Sequence, residues 1–214
     1  MKFATIIVTR SKSCSVKTLH TILRFNLLCM QNRGTENEVV FVNDDPYEKC
    51  EIIQKYIKTH DRIFFIDFGI AVDDLSLSKC FDKYEGIGGV VFPAVLEGID
   101  WDMFKDKVNK NSKEPIEQMG LNFDTEVGNK VSDGMYNVLK TSSKCWVLMC
   151  KNVSKHIKDK KYGVCKVYPR MDVMFSKFKE SGVKIHAYTK AKLTMTYSHE
   201  CISNILNATG VKSN

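Results

Sequence analysis

The sequence has no run of about 18 consecutive apolar residues, so no membrane-spanning helix is expected. It has no CxxC pair among its eight cysteines, which argues against a zinc site. No GxGxxG follows the first apolar run and no GxxxxGK[ST] occurs anywhere. Those absences argue against a dinucleotide-binding Rossmann protein and a P-loop NTPase. GxSxG and HExxH are missing too, which removes the nucleophile elbow and the commonest zinc-protease helix. No RNP, KH or zinc-finger pattern is present, and there is no internal repeat or low-complexity tract.

An even cysteine count invites a disulfide framework. A chain of 214 residues can bury a core without staples, however, and MKFATIIVTR carries no small-residue cleavage site. That segment reads as a first strand. The thiols are expected reduced, with Cys145 and Cys150 of CWVLMC in the core because Cys145, Val147 and Met149 alternate as in a strand. The sequons at Asn152 and Asn207 carry no weight without a secretion signal.

What is present is an ordinary globular composition with a formal net charge of +7, which suits a polyanionic partner: nucleic acid, a membrane surface or nucleotide phosphates. FATIIVT, NEVVFVND and DRIFFID read as strands. Between them, SVKTLHTILRFNLLCMQN places Val16, Leu19, Ile22, Leu23 and Leu27 at helical spacing, and PYEKCEIIQKYIKTH opens on a proline suited to a first helical turn. This alternation predicts an α/β fold with a mostly parallel central sheet flanked by helices. After Asp67 the pattern loosens. A short strand and helix (69–84), a strand at GIGGVVFPAV, a helix at EGIDWDMFKDKVNKN, a polar loop at KEPIEQMGLNFDTEVGNK and a strand at CWVLMCKNV follow. RMDVMFSKFKESG is then a helix closed by Gly182, VKIHAYT a strand and TYSHECISNIL a last helix. The expected organisation is one domain over 1–214, with a nucleotide-binding half at 1–75 and a donor-sugar and acceptor half at 76–214; it is compatible with being one domain of a longer polypeptide.

In open α/β sheets ligands collect at the carboxyl ends of the strands. Three ends carry polar residues here: Thr9 and Arg10, Asn43 and Asp44, and Asp67. Asn and Asp are also ordinary turn residues, which is the simpler reading of Asn43 and Asp44. Asp67 stands directly against an apolar run, where a carboxylate is partly buried and calls for a metal or an arginine. The other chemical feature is His186 with Lys192 six positions on, an arrangement that also suits a core histidine and a surface lysine.

RIFFIDFGIAVDDLSLSKCF resembles the strand–DxD–strand element of GT-A glycosyltransferases, and HAYTKAK resembles the H-x5-K element of retaining members of that class. YPRMDVMFSKFKESG is similar to the acidic helix start that follows the class's central strand. The likeness runs from Phe3 to about Lys192 and extends to viral members that build capsid glycans. It implies a single GT-A-like domain that moves a hexose from a UDP-sugar to a glycan or glycoprotein acceptor, with retention. The implied cofactor is Mn²⁺ or Mg²⁺ bridging the donor phosphates. It implies that Asp67 contacts the metal or the ribose, that His186 is a metal ligand and that Lys192 contacts a phosphate. Thr9, Arg10 and Asp44 would border the nucleoside, with Asp172 and Asp124 beside the donor sugar and acceptor. The implied setting is cytoplasmic, in the host for a viral member, with no nucleic-acid partner. Gly69 stands where the class has its second Asp. Either water completes the metal shell, or Asp73 or Asp74 swings in; a helix N-terminus is the preferred reading of those two acids. Two other functions fit the chain: a nucleotide-sugar-binding protein without transferase activity, which Gly69 favours, and a basic nucleic-acid-binding module.

Overall fold

The computed structural model describes residues 1–96, 98–159, 163 and 165–196. Its first third is the predicted alternation: β1 (Lys2–Thr9), α1 (Val16–Gln31), β2 (Glu36–Asn43), α2 (Pro46–Thr59) and β3 (Arg62–Ile66). Then come β4 (Ile70–Val72), α3 (Asp74–Ser78), β5 (Gly89–Val91), α4 (Trp101–Asn109), β6 (Thr125–Ser132) and β7 (Met135–Thr141). The last described elements are β8 (Cys145–Met149), α5 (Cys150–Ile157), α6 (Met171–Glu180), β9 (Ile185–Tyr188) and β10 (Leu193–Met195). The predicted last helix, TYSHECISNIL, lies outside the described residues apart from Thr196.

Eight strands form one sheet in the order β2-β1-β3-β8-β5-β9-β7-β6, and β10 pairs with β4 in a separate ribbon. β1, β2 and β3 are parallel, and so are β5 and β9, whereas β8 and β7 run antiparallel to their neighbours. The fold is thus a mixed α/β sheet flanked by helices. Because β2 and β3 lie on opposite sides of β1, the chain reverses its direction of travel there, and the crevice beyond Thr9 and Ile66 is the sheet's switch point.

β3 is apolar because both its faces are covered. All five residues are buried, including Arg62, whose guanidinium donates to the carbonyls of Cys80 and Asp82. On one face Phe65 stacks on Trp146 at 4.7 Å, and Trp146 meets Phe175 of α6 edge-on. On the other, Phe64 packs against Phe25 of α1. Each aromatic pair adds roughly 0.5–1.5 kcal/mol beyond area burial. α2 is started as its sequence suggests: Pro46 occupies the first turn, and the Asp45 carboxylate accepts from the amides of Tyr47 and Glu48. Such a cap contributes about 1 kcal/mol.

Three segments differ from expectation. In α1 the buried face is Thr18, Thr21, Ile22, Phe25 and Cys29, while Val16, Leu19, Leu23 and Leu27 are exposed. The backbone of β4 sets this rotation. Thr18 Oγ1 donates to the Ile70 carbonyl at 2.8 Å, and the Val72 amide donates to Thr21 Oγ1 at 3.1 Å, so two threonines satisfy groups that a short strand leaves open. The polar stretch ending in DTEVGNK is not all loop: β6 pairs with β7 in a ribbon whose register slips three times, so exposure and bulges hide its alternation. In CWVLMCKNV the strand stops at Met149, because Cys150, Val153 and Ile157 recur at helical spacing and bury one side of α5.

Candidate functional site

Asp67 follows the last residue of β3 and is half-buried. Its amide donates to the Lys144 carbonyl at 2.9 Å, and its Oδ1 accepts from the Phe68 amide at 2.7 Å. Among the described residues no ion pair involves it. Burial pushes its pKa above the ordinary carboxylate value; the Phe68 amide works against that rise, and the nearby Asp44 charge adds to it.

Lys144 is the hinge of the arrangement. Its carbonyl holds Asp67, and its own amide donates to Asp124 Oδ2 at 3.2 Å. The backbone of one residue, at the entrance to β8, therefore ties two acids from separate segments. The charges of Lys49 and then Lys144 draw Asp67 down a little, and that of Lys144 does the same for Asp124, against the upward push of burial. Asp124 is buried and further tied: Oδ1 accepts from the Ala94 amide at 3.1 Å and the Thr125 hydroxyl at 2.8 Å. Burial raises its pKa; the Thr125, Ala94 and Lys144 hydrogen bonds partly offset this.

The other two strand ends complete the rim. Asp44 receives Arg10 Nε at 2.9 Å and Lys49 Nζ at 2.7 Å, and the Arg10 guanidinium lies 5.2 Å from the centre of the Phe68 ring. Burial opposes ionisation of Asp44, yet Lys49 and Arg10 hold it below the usual carboxylate range. Thr9 is buried and its hydroxyl is committed to the Val42 carbonyl at 3.1 Å, so it offers little beyond its backbone. It lines a cavity of about 350 Å³ with Lys12, Cys14 and Asn43.

Asp172 opens α6 and lines a cavity of about 490 Å³ together with Asp124, Lys140 and Arg170. The Arg170 side chain grips it through Nε at 3.2 Å and Nη2 at 2.7 Å, and that contact lowers its pKa. The two acids expected beside the sugar and acceptor thus share one hollow.

His186 and Lys192 are placed elsewhere. His186 is level with Val90, Val147 and Phe64, three strands across from β3. Strand spacing and rise put its Cα about 17 Å from that of Asp67. One ion cannot bind both side chains across such a gap. His186 lies instead in a cavity with Lys79, Tyr84 and Tyr188, and burial, then Lys184, lowers its pKa. Lys192 lines a further cavity with Lys17, His20 and Asp73, between α1 and β4. Among the described residues no group of three or more His, Cys, Asp and Glu side chains is poised to hold a metal.

Gly69 has a structural reason. Its φ is +77°, and a Cβ there would meet the Thr196 carbonyl oxygen at 2.9 Å. The Thr196 amide donates to the Gly69 carbonyl at 2.9 Å, docking the end of β10 on this turn. Asp73 caps α3 by accepting from the Ser76 amide at 3.1 Å, and Asp74 pairs with Arg24, so both acids are engaged at a helix start.

Lys144, Lys49 and Phe68 escaped the sequence reading. Lys144 had a signal available: in SSKCWVLMC a lysine directly precedes an apolar strand, the mirror of Asp67 directly following one.

No protein-family model matches the chain, and no curated protein does. Among solved structures, A197 from STIV shares the fold, with a TM-score of 0.55 over 92% of this chain and 86% of that one at 12% identity.

Proposed function

We propose that the chain is a nucleotide-sugar glycosyltransferase of the GT-A type, using a UDP-sugar donor and a glycan acceptor. The observation that carries this reading is the Asp67–Lys144–Asp124 arrangement at the sheet's switch point. Among the described residues, a half-buried carboxylate with one side-chain hydrogen bond and no ion pair feels the charges of Lys49 and Lys144, and a second carboxylate lines a hollow with Asp172.

Asp67 fits a hard divalent ion, which needs only one or two carboxylates when phosphate oxygens and water complete its shell. His186 does not fit that site. Mn²⁺ or Mg²⁺ held by Asp67 would supply neutralisation of the charge on the departing diphosphate. Lys144 adds a cation beside the same phosphates. Arg10 and Phe68 form a cationic and aromatic wall for the nucleoside, with Asp44 locking the Arg10 guanidinium in place. Asp124 orients the loop before β8, and Asp172, in the shared hollow, accepts hydrogen bonds from the sugar or acceptor.

A second reading, a nucleotide-sugar-binding protein without transfer, is favoured by Gly69, which leaves the turn one carboxylate short. The two readings separate in one assay. A melting-temperature screen with UDP, GDP and CMP, each with and without Mn²⁺, should give a rise for UDP with Mn²⁺, and release of UDP from a UDP-sugar should follow. A rise without UDP release supports the second reading. No rise with any nucleotide overturns both.

A further inference from the structure

We infer that α1 is a docking face for an anionic lipid surface. The helix carries two apolar faces. One, centred on Ile22, Phe25 and Cys29, packs on the sheet. The other is Val16, Leu19, Leu23, Leu27 and Met30, each between 42% and 82% exposed. At 100° per residue this stripe is centred roughly 140° around the helix from the buried face and runs about 21 Å along it. Single exposed leucines are ordinary; five in register along four turns are not.

Charge selects the occupant. α1 contains no acidic residue. Lys17, His20 and Arg24 follow immediately beside the stripe on one side, and Arg33 stands just beyond the helix end. On the other side Asn26 leads to β2 through a hydrogen bond with Asn37. The positions of β2 that share this side, Asn37, Val39, Phe41 and Asn43, are acid-free, and Phe41 is itself exposed. Glu36 and Glu38 alternate onto the other side of β2, where Glu38 accepts a hydrogen bond from the Tyr56 hydroxyl of α2 and contacts His60. Among the described residues two acids face α1 from the neighbouring elements, Asp73 and Asp74 at the start of α3; Asp73 caps that helix and Asp74 is matched by Arg24. Lys17, His20, Arg24 and Lys192 line one cavity beside the stripe together with a single carboxylate, Asp73, which is engaged in capping α3. An apolar stripe flanked by cations is the pattern of a helix lying in a lipid interface. A second copy packed stripe to stripe would bring the flanking cations of the two helices together.

The test is co-sedimentation of the full chain with phosphatidylcholine vesicles with and without one-third phosphatidylserine. Binding is expected to the anionic vesicles, to weaken as salt rises, and to be negligible on pure phosphatidylcholine. Leu23→Gln with Leu27→Gln should lower partitioning at least tenfold with the melting temperature unchanged, since both side chains are exposed. Lys17→Gln should lower it about fivefold, the effect of one basic residue at an anionic surface. Absence of binding to anionic vesicles, or equal binding by the double variant, overturns the inference. So does a concentration-dependent dimer in light scattering that the double variant dissolves, because a second copy would then cover the stripe.

Discussion

Replacing Gly69 by alanine probes the turn that carries Asp67. The backbone there sits at φ +77°, which costs an L-residue roughly 1–2 kcal/mol. The new Cβ would also stand 2.9 Å from the Thr196 carbonyl oxygen, a backbone atom that moves only if β10 shifts on β4. Adding about 1 kcal/mol for that displacement gives a loss of about 2–3 kcal/mol, on the scale of moderate overpacking. For a chain of this length, a melting temperature about 4–12 °C lower is expected. Calorimetry or circular dichroism measures it directly. For the same steric reason Gly69→Asp, which would complete the DxD pattern, is expected to destabilise the turn and not to tighten Mn²⁺ binding. An unchanged melting temperature in Gly69→Ala, or tighter Mn²⁺ binding by Gly69→Asp, would refute the reasoning.

Further expectations concern the other members of the crevice. Lys144→Ala keeps both backbone hydrogen bonds, so nucleotide diphosphate affinity should fall about tenfold, on the scale of one charge-assisted contact, with little change in melting temperature; equal affinity by titration would remove Lys144 from the site. Asp124→Ala strips acceptors from the Ala94 and Lys144 amides and should cost about 3 kcal/mol in denaturant unfolding. A neutral result would show that those amides find other partners. Asp67 has a raised pKa, so its folded form holds the proton more tightly than the unfolded chain does. Its contribution is therefore favourable below the ordinary carboxylate pKa and is lost as pH rises through the folded value. Asp67→Asn should accordingly melt higher than the wild type at pH 7 without ligand, and the gap should close below the ordinary carboxylate range. A gap that persists in acid would assign the effect to packing.

The first half of the fold was legible because hydrophobic period and punctuation agree there. Apolar runs of five to eight residues alternate with amphipathic stretches, and Pro46 marks a helix start that Asp45 indeed caps. α1 shows where periodicity misleads: the helix is apolar on two sides, and hydroxyls, which hydropathy counts as polar, chose the buried one. The β6–β7 ribbon was illegible because its outer positions are polar and its register slips. At the site, each strand-end residue was visible as a polar group abutting an apolar run. Which of them meet was not, since that depends on strand order. The crossing of β8 between β3 and β5 brings Lys144 to Asp67 and moves His186 three strands away. Sequence order alone places His186 and Lys192 close in the chain, yet they line different hollows. Gly69 looked like a lost ligand and is a turn in which any side chain is strained.

Calorimetric titration of UDP into the wild-type chain and Asp67→Asn, each with and without Mn²⁺, tests the central claim most directly. The account predicts Mn²⁺-dependent binding by the wild type that Asp67→Asn loses while remaining folded. Binding that ignores Mn²⁺, or that Asp67→Asn retains in full, would contradict it.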